Sequence, residues 1–371
     1  MTRRARKRLV VSGVNLVEGG TLRVLQDFLV AASQELDSSW DIIALVHSRE
    51  KLKPSRAKLI EVSWPKRSWL GRMFFEWGVS ARLAQRLKPD VWFAIHDITP
   101  RVGEVRKVVY CHNPMPFYRP SIKEARYDIK AWLFSKLYGY LYGLGIKSNS
   151  IVVVQQNWIR HAFQKRYGID HVMVAYPRSA QRVQGESAIR CEVGSYQFIF
   201  PSLARPFKNF EVICKAAEIL ESQGVPEFRV ILTIDATENS YAQSLISKYC
   251  HVKSISFIGR QSFDQMCHLY EASQCLIFPS HIETWGLPIT EAKAYGLDIL
   301  AASEKYAYET VGSYEKVAFF DTNSEKELAQ KMLGLIQGKI VTGEVVGVQP
   351  EQPFVEGWES LVKAICNEEK I

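Results

Sequence analysis

Hydrophobic positions along this chain fall into short apolar runs separated by stretches with helical spacing. Arg8-Leu9-Val10-Val11-Ser12-Gly13 reads as a short buried strand that stops at a glycine. A loop containing Gly19-Gly20-Thr21 follows, after which Leu22, Leu25, Phe28, Leu29 and Ala32 recur on one face of a helix. Further strands are predicted over 41–46, 90–95, 107–111 and 150–154, with helical patterns between several of them, which indicates an α/β domain with a mostly parallel sheet. After Pro177 the pattern restarts, with strands over 196–200, 228–234 and 275–278 and helices over 211–223 and 263–272, so a second α/β domain is expected. Polar residues with Pro177 and Gly185 place a linker over 176–187, and a second soft stretch, 338–353, precedes a last helix over 358–366. The resulting division is 1–178, 179–353 and a closing segment 354–371. A length of 371 residues exceeds the roughly 250 to 300 at which one hydrophobic core stops growing, which agrees with two domains.

Composition narrows the class. The seven cysteines are scattered and form no C-x-x-C pair, which argues against a disulfide framework or structural zinc. No secretory signal pattern opens the chain, and no apolar run reaches the roughly 18 residues of a spanning helix. The expectation is a cytoplasmic protein. Charge is distributed unevenly: residues 1–180 hold 30 Lys and Arg against 14 Asp and Glu, whereas the remainder is acidic. A basic N-terminal half points to a negatively charged partner: a nucleic acid, an anionic membrane surface or a phosphorylated substrate.

The segment Phe278-Pro279-Ser280-His281-Ile282-Glu283-Thr284-Trp285-Gly286-Leu287-Pro288-Ile289-Thr290-Glu291-Ala292 carries the clearest chemistry. A buried strand ends at Phe278, a loop carries Glu283, and Pro288 suits the first turn of a new helix. Backbone N–H groups of Gly286 and Leu287 with the positive helix end form an anion site, while Glu283 and Glu291 are suited to accept hydrogen bonds from sugar or ribose hydroxyls. This stretch resembles the Glu-x7-Glu signature of the retaining glycosyltransferases of family 4, and Pro279-Ser280, Gly286-Leu287-Pro288, Glu291-Ala292 and Gly296 fall where that family's pattern puts them. The resemblance implies the GT-B architecture, two facing Rossmann-like domains with a C-terminal helix crossing back to the first. It assigns Glu283 to the donor sugar and Glu291 to the ribose. Thr284-Trp285 stands where the family usually has Gly-Phe, which alters the sugar pocket.

Phe200-Pro201-Ser202-Leu203-Ala204-Arg205-Pro206-Phe207-Lys208-Asn209 follows the first strand of the second domain and is placed to hold a diphosphate. It resembles the family's loop ending in Lys-Asn, which gives Lys208 the departing phosphate. The family's arginine lies five positions before the lysine, at Leu203 here, and Arg205 is the candidate substitute. Tyr110-Cys111-His112-Asn113-Pro114 ends an N-domain strand, and by resemblance His112 serves the reacting centre. His96-Asp97, at the preceding strand end, is a candidate for the acceptor side. Gly19-Gly20 resembles the family's N-terminal Gly-Gly loop, and Gly259-Arg260 the segment that meets the nucleobase. The donor-binding set is thus Glu291, Gly286, Leu287, Pro288, Gly20, Gly259, Arg260, Thr284 and Trp285, with Glu283, Lys208, His112 and Arg205 at the reacting bond.

No Asp-x-Asp occurs, which disfavours a metal-held diphosphate; no cofactor is expected, and a UDP- or GDP-linked sugar would be the donor substrate. By resemblance the enzyme would be a retaining hexosyltransferase acting on a hydroxyl of a growing glycan, with a lipid-linked surface polysaccharide as the acceptor class. A nucleotide-sugar epimerase or another enzyme of the same architecture is the first alternative. A nucleic-acid-binding protein, suggested by Arg3-Arg4-Ala5-Arg6-Lys7-Arg8, lacks any accompanying finger, helix-turn-helix or stacking motif, so no nucleic-acid partner is expected. The segment 64–77 interleaves Trp64, Trp69, Phe74, Phe75 and Trp77 with Lys66, Arg67 and Arg72, a composition suited to the inner face of an anionic cytoplasmic membrane.

Overall fold

The structure is a computed structural model that describes residues 6–17, 19–127, 129–177, 195–339, 347–348 and 350–367. The expected linker beyond Pro177, the Arg3-Arg4-Ala5 part of the basic run and much of the soft stretch 338–353 lie outside the described residues. The chain divides into two compact units, one comprising Met1–Phe117, Ser135–Arg178 and Pro350–Ile371, the other Tyr118–Phe134 and Ser179–Gln349.

In the first unit the apolar runs become the strands β1 (Lys7–Gly13), β2 (Trp40–Val46), β3 (Lys58–Glu61), β4 (Val91–Ala94), β5 (Arg106–Cys111), β6 (Ile151–Val154) and β7 (Val172–Tyr176). Those of the second are β8 (Tyr196–Phe200), β9 (Phe228–Leu232), β10 (Ile255–Phe257), β11 (Cys275–Phe278), β12 (Asp298–Ala302) and β13 (Val317–Phe320), and a last strand, β14 (Phe354–Glu356), returns to the first. The sheets run β14-β7-β6-β5-β4-β1-β2-β3 and β10-β9-β8-β11-β12-β13, and every pairing is parallel. Strands such as β4 and β11 are buried along their whole length, as parallel strands covered on both faces must be. Strand order reverses between β1 and β4, and again between β8 and β11. Loops leaving the carboxyl ends of such neighbours diverge and open a crevice, which is where ligands bind in open α/β sheets.

Two features depart from the expected organisation. Residues 118–134 group with the second unit, because Tyr118 packs on Phe207, Tyr127 packs on Tyr241, and Ser240 Oγ donates to the Tyr127 carbonyl at 2.9 Å. The Gly19-Gly20 pair forms no loop: the helix Gly19–Glu35 begins there. The closing helix, Gly357–Cys366, buries Leu361, Val362, Ile365 and Cys366 in the same core as Leu25, Phe28 and Phe93, and Trp358 stands edge-on to Phe28 at 5.9 Å. Each such apolar side chain contributes about 1.5–3 kcal/mol by leaving water.

The aromatic and basic segment splits by face. Trp64–Arg67 is a 3-10 turn, Trp69–Phe74 a short helix and Phe75–Val79 a π-helical turn. Trp69, Leu70 and Phe74 stay 45%, 83% and 59% exposed, whereas Phe75 and Glu76 are fully buried. Arg72 does not join Lys66 and Arg67 at the surface: its guanidinium turns inward to donate to the His96 carbonyl. No helix among the described residues is long and apolar enough to cross a membrane.

Candidate active site

In the second unit the order reversal brings together the two segments expected to carry the chemistry. The loop after β8 turns through a 3-10 helix, Pro206–Lys208, and Asn209 ends it in the left-handed region at φ 57°. Asn209 Nδ2 donates to the Thr322 carbonyl at 2.8 Å, which fixes the loop from behind. The His281 N–H donates to the Phe207 carbonyl at 2.8 Å and so ties the loop after β11 to the loop after β8. Across this tie Lys208 Nζ forms an ion pair with Glu283 Oε1. The rings of Phe207 and Phe278 lie 5.5 and 5.9 Å from the ammonium, so apolar walls reduce its access to water. Lys208 and Glu283 thus neutralise each other, and an arriving phosphate would compete with Glu283 for the same cation.

The helix Leu287–Tyr295 starts directly after this loop, with Pro288 in its first turn. Gly286 precedes it at φ +87°, and a Cβ there would meet the Phe278 ring at 3.1 Å, so both backbone and space demand glycine. The helix has orphan N–H groups at this end. Glu291, on the same helix, accepts a hydrogen bond from the buried Tyr270 hydroxyl at 2.7 Å, and Tyr270 stacks on Tyr295 at 5.4 Å. One carboxylate oxygen is thereby committed, and the group is oriented before any ligand arrives. Tyr270 ends the helix Phe263–Ala272, and its spacing from Glu291 gives no hint in sequence of this bond.

Several expected site residues take other places. Trp285 is buried, its indole donates to Thr290 Oγ1 at 2.8 Å, and its carbonyl accepts from the Thr310 hydroxyl. It shapes the loop from within, and Thr284 beside it is half-buried. Arg205 is not brought to the Lys208–Glu283 pair: it is exposed, with Nη1 3.4 Å from its neighbour Ala204's carbonyl. Leu287 is exposed at the helix start. Gly259 follows β10 at φ +69°, and a Cβ there would meet Asp235 Oδ2 at 3.0 Å. The hydrogen bonds from Thr237, with the charge of Arg260 a lesser cause, hold the Asp235 carboxyl below its usual range.

In the first unit the corresponding strand ends build a buried network. His112 follows β5 with its ring 5.7 Å from Tyr110, and its N–H donates to Asp97 Oδ1 at 2.9 Å. Tyr142 and Tyr138 donate to the two Asp97 oxygens at 2.6 and 3.1 Å. Burial works against the Asp97 charge, but His112, the Tyr142 hydrogen bond and Arg72 outweigh it and its pKa is lowered. His96 Nε2 lies 3.0 Å from Ser12 Oγ and 3.3 Å from Glu76 Oε1. Burial, with Arg72 adding to it, pushes the His96 pKa down to about 3, and burial pushes Glu76 up to about 8, so both are neutral at pH 7. The pair His96-Asp97 is therefore interior, and any part it has on the acceptor side is played from behind the strand ends. Gly20 is exposed in its helix, and nothing lies within 4 Å of a Cβ placed there, so packing does not demand glycine. Arg72, Glu76, Tyr138 and Tyr142 were not legible as members of this cluster.

Two parallel sheets that both contain the 3-2-1-4-5-6 strand order make two Rossmann-like units, the parts of the GT-B fold. The solved structures agree: sucrose-phosphate synthase from Thermosynechococcus elongatus aligns with a TM-score of 0.69 over 98% of this chain and 96% of that one at 14% identity. WaaG, a glycosyltransferase involved in lipopolysaccharide biosynthesis, aligns with a TM-score of 0.64 over 89% and 90% at 12% identity. Residues 188–342, which hold both loops of the site, match the family of glycosyl transferases group 1. Among curated proteins it is 20% identical over 240 residues to O-antigen chain mannosyltransferase RfbU of Salmonella typhimurium, 61% of this chain and 65% of that protein. It is 25% identical over 171 residues to O-antigen chain mannosyltransferase B of Escherichia coli, 45% of this chain and 43% of that protein. The match thus spans less than two thirds of the length of either relative.

Proposed function

We propose that the chain is a retaining, metal-independent glycosyltransferase that moves a hexose from a UDP- or GDP-linked donor to a hydroxyl of a growing, lipid-linked glycan. The observation that carries this reading is the Lys208–Glu283 pair at the β8–β11 crossover, beside the first turn of the Leu287–Tyr295 helix. In the transfer the bond between the sugar's anomeric carbon and the diphosphate oxygen breaks, and a bond from the acceptor oxygen forms on the same face. The acceptor's proton passes to the departing diphosphate, whose charge Lys208 and the helix end stabilise. At an effective dielectric near 20, one cation about 4 Å from a developing charge contributes about 4 kcal/mol, which is enough to supply a metal's neutralising role. Glu291, pre-aimed by Tyr270, receives the ribose, and Glu283 turns to the sugar once phosphate takes its place on Lys208.

Release of UDP from UDP-glucose or UDP-galactose, or of GDP from GDP-mannose, in the presence of a glycan acceptor tests this, with and without excess EDTA. One donor should turn over and raise the melting temperature, and EDTA should not matter. No release from any donor, or activity lost in EDTA and restored by manganese, would overturn the reading.

The relatives' roles in O-antigen synthesis and the first unit's exposed face both favour a membrane-bound acceptor. Trp69, Leu70 and Phe74 lie next to the Ile129–Gly143 helix, whose Leu137 and Tyr140 are also exposed; Trp69 meets Tyr138 edge-on at 5.8 Å. Lys66, Arg67 and Lys136 are exposed around them. Such a face suits the inner leaflet of an anionic membrane, where each cation adds about 1 kcal/mol. Sedimentation with phosphatidylglycerol vesicles should show binding that high salt weakens and that Leu70→Glu with Lys66→Glu abolishes. Undiminished binding by that double variant would place the contact elsewhere.

A further inference from the structure

We propose that Asp97 is a positioning residue for His112, held in place by Tyr142, Tyr138 and Arg72. The inference rests on the reading that His112 takes part in the transfer.

Asp97 stands just past the carboxyl end of β4 at φ +75°, a conformation that costs a residue with a Cβ roughly 1–2 kcal/mol and that Asp and Asn tolerate best. The strained backbone aims its carboxylate at the next strand end. Oδ1 accepts the His112 N–H and lies 3.8 Å from His112 Nδ1, so one oxygen anchors the backbone and faces one edge of the ring. The Asp97 N–H donates to the Tyr110 carbonyl at 3.1 Å, and the Tyr110 ring packs on His112, so the same pair of strand ends closes from the other side. A carboxylate this buried needs several donors to keep its charge. Two of them come from tyrosines one helical turn apart on the Ile129–Gly143 helix, and Tyr142 also accepts the Asn113 N–H at 3.3 Å. Arg72, from the Trp69–Phe74 helix, supplies the compensating charge, and Asp97 in turn supports the Arg72 charge. The arrangement is larger than a fold needs to end a strand. It fixes the His112 to Asn113 backbone at two amides and sets a carboxylate oxygen 3.8 Å from one edge of the imidazole.

The helices that supply Arg72, Tyr138 and Tyr142 expose Trp69, Leu70, Phe74, Leu137 and Tyr140 on their outer faces. Whatever steadies those faces steadies Asp97, and through it His112.

Asp97→Asn keeps size and tolerance of the left-handed backbone but removes the charge. It should lower kcat on the order of 10²-fold, with donor KM moving less than about threefold, because misplacement by about an ångström costs that much. The double variant Asp97→Asn, His112→Ala should be no slower than His112→Ala alone, since both act through one side chain. Should Asp97→Asn unfold, Tyr142→Phe removes the 2.6 Å bond with less disturbance and should show the same pattern at smaller size. Independently of turnover, hydrogen exchange in residues 110–114 should quicken about tenfold in Tyr142→Phe while peptides from β1 and β6 keep their protection. If His112→Ala impairs turnover but Asp97→Asn does not, or if the double variant is slower than His112→Ala, the positioning role is refuted. If His112→Ala itself is silent, the reading of His112 falls and this inference with it. Unchanged exchange at 110–114 would also refute it.

Discussion

The carboxyl ends of the two sheets are built in opposite ways from the same strand order. In the first unit, polar groups at the crossover are interior: Ser12, His96, Asp97 and Glu76 are all buried, with Asp97 held by two tyrosines, His96 beside Ser12, and Glu76 3.3 Å from His96. The second unit keeps its crossover charges on loops, where Lys208 and Glu283 pair with each other between the Phe207 and Phe278 rings and keep a small exposed fraction. A network closed off from solvent is out of a charged ligand's reach, but it holds backbone in one arrangement. An ion pair carried on loops is the reverse, because either partner can exchange the other for a ligand. One end is suited to hold geometry, the other to take up charge.

The largest expected effect breaks the second half of that contrast. Lys208→Ala should cost about 10²- to 10³-fold in kcat, the loss seen when a charge-stabilising donor is removed, and should lower the melting temperature because it leaves a largely buried carboxylate without its partner. Wild-type turnover by the folded variant would show that the pair has no part in the chemistry.

Next in size is a test of the first half. Glu76 has a folded-state pKa of about 8 against an ordinary 4.5, so its contribution to stability is whole below about pH 4.5 and is lost as pH rises toward 8. Glu76→Gln stays neutral throughout, with Arg72 and His96 facing it as before. Its advantage over wild type should therefore grow across that window, while the unfolded chain alone is ionised. Urea titrations at pH 5 and pH 8 measure this, and an equal difference at both would mean the carboxyl is charged in the fold. His96 runs the other way: its depressed pKa makes stability present above about 6.5 and lost as pH falls toward 3.

The smallest effect sharpens the comparison. Tyr270→Phe frees one Glu291 oxygen without removing the carboxylate, and should raise donor KM a few-fold, about 1 kcal/mol, with kcat nearly kept. An unchanged KM would mean that Glu291 needs no aiming.

Strands β1, β2, β4, β5, β6, β8, β9 and β11 and both loops of the second unit were legible because each depends on residues adjacent in sequence: an apolar run, then a turn with glycine, proline or a cation; the strands β3, β7, β10, β12, β13 and β14 were not read from the sequence. Arg72 was not, since alternating aromatics and cations reveal that a segment is amphipathic but not which single cation turns inward. Glu76, in the middle of that segment, is fully buried through a π-helical turn that shifts the period by a residue. Tyr138 and Tyr142 reach Asp97 from 41 and 45 residues away, a meeting set by topology alone. Gly19-Gly20 misled in the other direction: glycine is common in loops, yet here it opens a helix whose apolar stripe, Leu22 to Ala32, outweighs its poor propensity.

The return of β14 and the Gly357–Cys366 helix to the first unit has a consequence for biogenesis. On the ribosome the second unit's six strands are all made while the first still lacks an edge strand and the side chains of Leu361, Val362 and Ile365 that close its core. The nascent first unit waits with an apolar face open through the synthesis of everything from Tyr196 to Phe320, so chaperone dependence belongs to the part of the protein translated first.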